Sequence, residues 1–185
     1  MDLKVGYLSS ISRPIRILHV DDEPADLEIT RIFLRREVKN GFEIAGALSA
    51  EEAMVKLESE QFDVVVADYK MPGMDGIEFL EVLRKSRKYA LTPFILFTGI
   101  GNSGVAEKAL EKGADRYISK AGNPASQCSE LARTICDLVK GKKKGEELEN
   151  STKKIQNNDQ TFINPVSLCL QLPPEKYPNT SSTNQ

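Results

Sequence analysis

The sequence predicts an α/β fold in which five strand–helix units build a doubly wound parallel sheet. Short apolar runs, typical of buried strands, alternate five times with amphipathic stretches between residues 12 and 140. Such strict alternation indicates parallel strands joined by right-handed crossovers, with helices on both faces of the sheet. Polar residues also follow four of the five runs, at the edge where sheets of this class bind ligands.

The five strands are predicted from their apolar runs. The third and fourth are continuously apolar, as expected of strands that are buried on both faces. The second alternates Phe42 and Ile44 with small or polar residues, which is typical of a strand with two unlike faces. The predicted strands cover residues 16–20, 42–47, 64–67, 94–97 and 117–119.

The helices between them have recognisable starts and stops. Pro24 opens the first helix, and Ser49 with Glu52 predicts a capping box at the start of the second. A third helix shows apolar residues at helical spacing, and a fourth, at 105–111, stops at Gly113. Asn123 caps the last helix ahead of Pro124. The predicted buried residues of the last helix are Cys128, Leu131, Ala132, Ile135 and Val139.

Composition bounds the function and the compartment. The chain has 185 residues, a formal charge of −2, one histidine and three cysteines. A near-neutral charge argues against a nucleic-acid partner, and no apolar run is long enough for membrane insertion. Cys128 and Cys136 stand eight residues apart in one predicted helix. That spacing is about 12 Å, beyond disulfide reach. Buried thiols and the lack of a secretory signal predict a cytoplasmic protein.

The composition also predicts three segments. Residues 1–13 are expected to be a flexible N-terminal arm, and residues 14–140 a single folded domain. Residues 141–185 contain four prolines and many Asn, Ser and Thr, which favours a polar, disordered tail over a second core. Ordered docking of the apolar stretch 162–172 is an alternative, although it must overcome the entropy of ordering those residues.

The polar residues at the strand ends form the predicted site. Asp21 and Asp22 follow the first strand, Asp68 the third, Thr98 ends the fourth, and Lys120 follows the fifth. Converging carboxylates repel one another and need cations, and a ligand set without His or Cys suits a hard ion, Mg²⁺ above all. A nucleophilic carboxylate with Mg²⁺, a lysine and a hydroxyl is similar to the machinery of phosphoryl transfer.

Four motifs carry a resemblance to a known family. HVDDEP, VVVADYKMPGMDG, FILFTG and YISK occur in this order. Together they resemble the receiver domain of two-component response regulators, the CheY-like superfamily, over roughly residues 15–139. The resemblance implies a flavodoxin-like (βα)5 sheet with strand order 2-1-3-4-5.

The resemblance also implies a role for each site residue. Asp68 matches the aspartate that accepts the phosphoryl group. Asp22 matches a direct Mg²⁺ ligand and Asp21 one that acts mainly through water, with Mn²⁺ as an alternative ion. The backbone carbonyl of Lys70 and the carboxylate of Asp68 complete the protein's metal ligands.

Three further residues match the parts that respond to phosphorylation. Thr98 matches the switch hydroxyl, Tyr117 the aromatic side chain that turns inward with it, and Lys120 the lysine that pairs with a phosphoryl oxygen. The proline that usually follows this lysine is replaced by Ala121. We therefore expect a strained or differently routed loop there. Lys70 and Ile100 stand where shielding from water would slow self-dephosphorylation.

These roles predict a single-domain response regulator rather than an enzyme. It would receive phosphate from a sensor histidine kinase or a histidine phosphotransfer domain, and signal by binding an unknown downstream protein. One alternative is a phosphorelay intermediate that passes phosphate to a histidine phosphotransfer domain. Another is an Asp-nucleophile phosphatase, disfavoured because Lys70 stands where its second Asp belongs. A nicotinamide site at the glycines of 99–104 is disfavoured by its place after the fourth strand. No helix-turn-helix pattern follows residue 140.

Overall fold

The computed structural model of the protein describes residues 13–38, 41–99 and 103–158. Its strands are β1 (Ile15–Val20), β2 (Phe42–Ala47), β3 (Val64–Ala67), β4 (Phe94–Thr98) and β5 (Arg116–Ser119). Its helices are α1 (Pro24–Glu37), α2 (Ala50–Ser59), α3 (Gly76–Lys85), α4 (Ser103–Glu111) and α5 (Pro124–Asn158). All five predicted strand–helix units are therefore present, with small shifts at their ends.

The sheet is entirely parallel, and its strands lie in the order β2-β1-β3-β4-β5. This order confirms the topology that the sequence resemblance implied. The register places Val20 of β1 beside Ala67 of β3. The next residues, Asp21 and Asp68, therefore leave the sheet side by side, and the Asp68 amide donates to the Val20 carbonyl at 2.8 Å.

Two apolar clusters cover the two faces of the sheet. One contains Leu18, Val65 and Leu96 together with residues of α2 and α3. The other contains Ile17, Val66 and residues of α1 and α5. Successive residues of β3 enter opposite clusters, which explains why its whole run is apolar. The predicted buried face of α5 is confirmed, since all five of its residues are buried.

The helix starts lie close to the predicted ones, although α4 begins at Ser103 rather than at residue 105 and one cap differs. Ser49 Oγ accepts from the Glu52 amide at 3.2 Å, as predicted, but the Glu52 carboxylate accepts from the Leu48 amide. The predicted capping box is therefore only half formed, because the carboxylate reaches one residue further back. The complete box lies at α3, between Asp75 and Glu78. Gly113 stops α4 with a φ of 97°, as its position predicted.

The C-terminal boundary differs from the prediction. The tail was expected to begin at residue 141, whereas α5 continues to Asn158. Residues 141–158 contain no proline and many Lys and Glu, which are good helix formers, and extending an existing helix avoids the cost of nucleation. The chain divides into two units, Met1–Lys144 and Gly145–Gln185. Residues 159–185, including the apolar stretch 162–172, lie outside the described residues.

One residue of the N-terminal arm that was predicted to be flexible is held in place by an ion pair. Arg13, placed in the flexible arm, forms a two-pronged ion pair with Asp63, at 2.7 Å and 2.8 Å. Asp63 also accepts from the Arg16 amide at 2.8 Å. The start of β1 is thereby held to the loop before β3. Residues 1–12 lie outside the described residues, so the predicted flexibility of the arm stays a prediction.

Candidate functional site

The predicted site residues converge at the carboxyl edge of the sheet. They line one open cavity of about 580 Å³ above β1, β3 and β4. Five carboxylates and two lysines are among its lining residues. The register of the parallel strands explains this convergence, because equivalent strand ends meet at one edge. Of the predicted residues, those that line the cavity are Asp21, Asp22, Asp68, Lys70, Thr98 and Lys120.

The Lys120 ammonium lies at the centre of the carboxylates. It forms ion pairs with Asp21, with Asp26 at 3.0 Å and with Asp68 at 3.2 Å. Only 14% of the Lys120 side chain is exposed. Burial acts to lower the pKa of Lys120, but its hydrogen bond to Asp21 and the neighbouring carboxylate charges raise it to about 12. Lys120 is therefore a permanent cation at neutral pH.

The Asp68 carboxylate is oriented by two contacts. Its Oδ2 accepts from the backbone amide of Lys70 at 2.7 Å, while its Oδ1 faces Lys120. A tight backbone approach supports this loop. A Cβ placed on Gly76 would lie 2.1 Å from the Asp68 carbonyl oxygen. Only glycine fits there, so Gly76 helps to set where the Asp68 carboxylate stands.

Asp21 is the most deeply buried carboxylate of the site. Its Oδ1 accepts from the Glu23 amide at 3.1 Å and its Oδ2 pairs with Lys120. Burial raises the pKa of Asp21, and Lys120 opposes that rise. Asp22 is half-buried beside it. The buried negative charge of Asp21 therefore needs nearby positive charge, and the Lys120 ammonium provides part of it.

The donor set fits a hard cation. Among the described residues, no three His, Cys, Asp or Glu side chains stand as a ready-made ligand group. Asp21 and Asp68 nevertheless share one cation already, in the ammonium of Lys120. Asp22 and Lys70 line the same cavity. An oxygen-only set with this excess of negative charge suits Mg²⁺. The choice of Asp21, Asp22, Asp68 and the Lys70 carbonyl as ligands stays a prediction.

Thr98 and Tyr117 lie on neighbouring strands near this edge. Thr98 is fully buried at the end of β4, and its carbonyl accepts from the Lys120 amide at 2.8 Å. Tyr117 pairs with Leu96 in the sheet and packs, half-buried, against the cluster of α2 and α3. Their predicted switching roles stay predictions. Ile100 and the middle of the glycine motif fall in residues 100–102, outside the described part of the chain.

Two residues of the site were not predicted from the sequence. Asp26 looked like one of several acids near a helix start, yet its side chain pairs with Lys120. Gly76 belongs to a quoted motif, but nothing local showed how closely it approaches Asp68. No helical spacing pointed to Asp26, because Asp22 precedes α1 and only Asp26 belongs to that helix. Ala121, which replaces the expected proline, lies exposed after Lys120 and does not displace it from the site.

Comparison with known proteins agrees with this geometry. Residues 17–132 match the family model described as the response regulator receiver domain. The chain is similar to response regulator Rre1 of Synechocystis, with 29% identity over 79% of this chain and 61% of that protein. It is also similar to transcriptional regulatory protein ResD of Bacillus subtilis, with 36% identity over 59% of this chain and 43% of that protein. The chain thus spans less than two thirds of these relatives.

Solved structures show the same fold. A CheY-like response regulator receiver domain protein from Methanospirillum hungatei superposes with a TM-score of 0.58 and 34% identity. The match covers 69% of this chain and 98% of that one. No helix within the described residues is long and apolar enough to cross a membrane.

Proposed function

Because the chain belongs to the receiver domain family of response regulators, we propose that it accepts a phosphoryl group on Asp68 in a Mg²⁺-dependent reaction. The donor is the phosphohistidine of a sensor histidine kinase or of a histidine phosphotransfer domain. The observation that carries the proposal is the setting of the Asp68 carboxylate. It stands between the Lys120 ammonium and the Lys70 amide, in a cavity lined by Asp21 and Asp22.

The chemistry follows from that setting. A carboxylate oxygen of Asp68 attacks phosphorus, the bond from phosphorus to the donor nitrogen breaks, and the electron pair leaves with the histidine ring. Asp21, Asp22 and the Lys70 carbonyl would hold Mg²⁺, which would supply positive charge to the transferred oxygens. Lys120 adds a fixed positive charge to the same oxygens. The chain supplies no donor of its own, since His19 is buried within the sheet.

The output is proposed to be binding to another protein. Phosphorylation replaces the single negative charge of Asp68 with a phosphoryl group of about −1.5 to −2 charge, in the cavity that Thr98 also lines at the end of β4. Thr98 and Tyr117 would rearrange and change the face formed by α4, β5 and α5. Leu110 of α4 is half exposed, so this part of the surface offers apolar contact area. Passing phosphate onward to a histidine phosphotransfer domain remains the alternative output.

Labelling of Asp68 tests the proposal. The wild-type protein, incubated with Mg²⁺ and acetyl phosphate or a phosphorylated kinase, should gain one phosphoryl group that is visible by intact mass. Asp68→Asn should abolish the gain, whereas the matched control Asp137→Asn, an exposed aspartate of α5, should preserve it. Unchanged labelling of Asp68→Asn would refute the assignment of the acceptor. Transfer from labelled protein to an added histidine phosphotransfer domain would favour the relay alternative.

A further inference from the structure

The Lys120 ammonium has three N–H donors, and the structure offers it three carboxylates. Two of them, Asp21 and Asp68, follow strands at the sheet edge. The third, Asp26, belongs to the first turn of α1 rather than to a strand end, and its Oδ2 lies 3.0 Å from Nζ. The Asp26 side chain is 43% exposed. Asp26 is therefore an added contact to the lysine rather than part of the buried pair.

Little else determines where this ammonium stands. The Lys120 amide is held by the Thr98 carbonyl at 2.8 Å, but the backbone beyond it is exposed at Ala121 and Gly122, and Gly122 has a φ of 109°. The side chain passes near the Phe97 ring, with Nζ 5.4 Å from its centroid. A ring face attracts a cation without fixing the directions of its N–H bonds. Those directions are set by the carboxylates.

The three carboxylates have different roles in the proposed phosphoryl transfer. Under the proposed function, Asp68 is consumed as the nucleophile and Asp21 faces the metal. Asp26 is the remaining partner whose oxygen can keep its hydrogen bond to Lys120 throughout. A donor held by Asp26 limits rotation of the ammonium about its C–N bond. Another N–H then stays directed at the Asp68 position, where the transferred oxygens will lie.

We propose that Asp26 is a positioning residue for phosphoryl acceptance, acting through its contact with the Lys120 ammonium. This inference rests on the proposed function of Asp68. It requires the contact to outweigh an opposing effect, because a negative charge at the cavity also repels an anionic phosphate donor. Loss of Asp26 should therefore slow labelling, while loss of a cavity carboxylate that has neither the contact nor a proposed metal role should not.

Glu23 is the matched control for that opposing effect. It lines the same cavity, is exposed, and its side chain makes no capping hydrogen bond to α1. Asp26→Asn and Glu23→Gln each remove one negative charge and keep the side-chain shape. We expect Glu23→Gln to label as fast as wild type or faster with phosphoramidate and Mg²⁺. We expect Asp26→Ala to label about three- to tenfold more slowly, as for loss of one ordinary hydrogen bond, because the Asp26 side chain is 43% exposed. Asp26→Asn, whose amide oxygen can still accept a weaker bond, should be slowed less.

A double-mutant cycle with Lys120→Met separates positioning from a general structural effect. If Asp26 acts through Lys120, adding Asp26→Ala to Lys120→Met should slow labelling no further. The ammonium ¹⁵N signal of Lys120, assigned by its loss in Lys120→Met, gives a readout in metal-free protein. Its proton exchange should be faster in Asp26→Ala and unchanged in Glu23→Gln. Equal thermal midpoints for the variants would show that folding is intact.

The outcomes are distinct. If wild-type protein takes up no phosphate, the proposed function fails and the inference fails with it. If wild-type protein labels normally, but Asp26→Ala labels as fast as Glu23→Gln, only the inference is overturned. An equal slowing by Asp26→Ala in the Lys120→Met background would also overturn it. The inference is supported if Asp26→Ala slows labelling only when Lys120 is present and also speeds proton exchange of the Lys120 ammonium.

Discussion

His19 should make the stability of this protein fall as the pH drops below about 6.5. Only 1% of the residue is exposed in β1, and neither ring nitrogen has a hydrogen-bond partner within the described structure. Burial, aided by the charge of Lys120 and opposed by that of Asp26, lowers the pKa of His19 from 6.5 to about 3. The histidine therefore stays neutral in the folded state and gains a proton only when the chain unfolds.

The magnitude follows from proton linkage. A pKa lowered by folding contributes stability that is complete above pH 6.5 and is lost as the pH falls towards 3. As the pH falls from 6.5 to 5, the unfolded histidine becomes protonated and the folded one does not. One such group lowers the free energy of unfolding by about 2 kcal/mol between pH 8 and pH 5. Replacing His19 by leucine removes the titrating group and the two buried nitrogens together.

Urea unfolding followed by circular dichroism at pH 8, 7, 6 and 5 measures this effect. The carboxylates titrate in both proteins, so the difference between wild type and His19→Leu isolates the histidine. We expect that difference to grow by about 2 kcal/mol from pH 8 to pH 5 in favour of the variant. A constant difference would refute the claim that folded His19 stays neutral. So would an imidazole NMR signal of the folded protein that titrates near pH 6.5.

Two further predictions concern the site. Gly76→Ala should lower the free energy of unfolding by at least about 2 kcal/mol in a denaturant titration, because its Cβ would overlap the Asp68 carbonyl. The control Gly141→Ala, with open space around it in α5, should stabilise by up to about 1 kcal/mol; equal effects would contradict the steric argument. Asp21→Asn should raise the unfolding midpoint of metal-free protein at pH 7. Burial raises the pKa of Asp21, so keeping its carboxylate ionised at pH 7 lowers the free energy of unfolding of the wild-type protein. The stability gained by the variant should therefore vanish near pH 3, where this carboxylate is protonated in the wild-type protein. Calorimetry should show at least about tenfold weaker Mg²⁺ binding by this variant; unchanged binding would argue against its metal role.

Most of the fold was predictable because its signals are local. Continuous apolar runs located β3 and β4, and the polar residues after each strand located the cavity. The errors came where local rules compete. The half-formed box at Ser49 depends on which amide the Glu52 carboxylate reaches. The end of α5 was misplaced because the four prolines that favoured a tail all lie after residue 158, whereas residues 141–158 are rich in the helix formers Lys and Glu.

The sequence by itself determined the five-unit alternation, the burial of β3 and the set of polar residues at the carboxyl edge, because periodicity and strand-end position follow from backbone geometry. Only the tertiary structure decided which of those residues touch. Asp26 and Lys120 are 94 residues apart in the chain. Their contact requires Lys120, which follows β5, to reach the start of α1, although β3 and β4 separate β1 from β5 in the sheet. The burial that lowers the pKa of His19 and raises that of Asp21 likewise exists only once the helices cover the sheet, since desolvation is a property of the packed surroundings rather than of neighbouring residues.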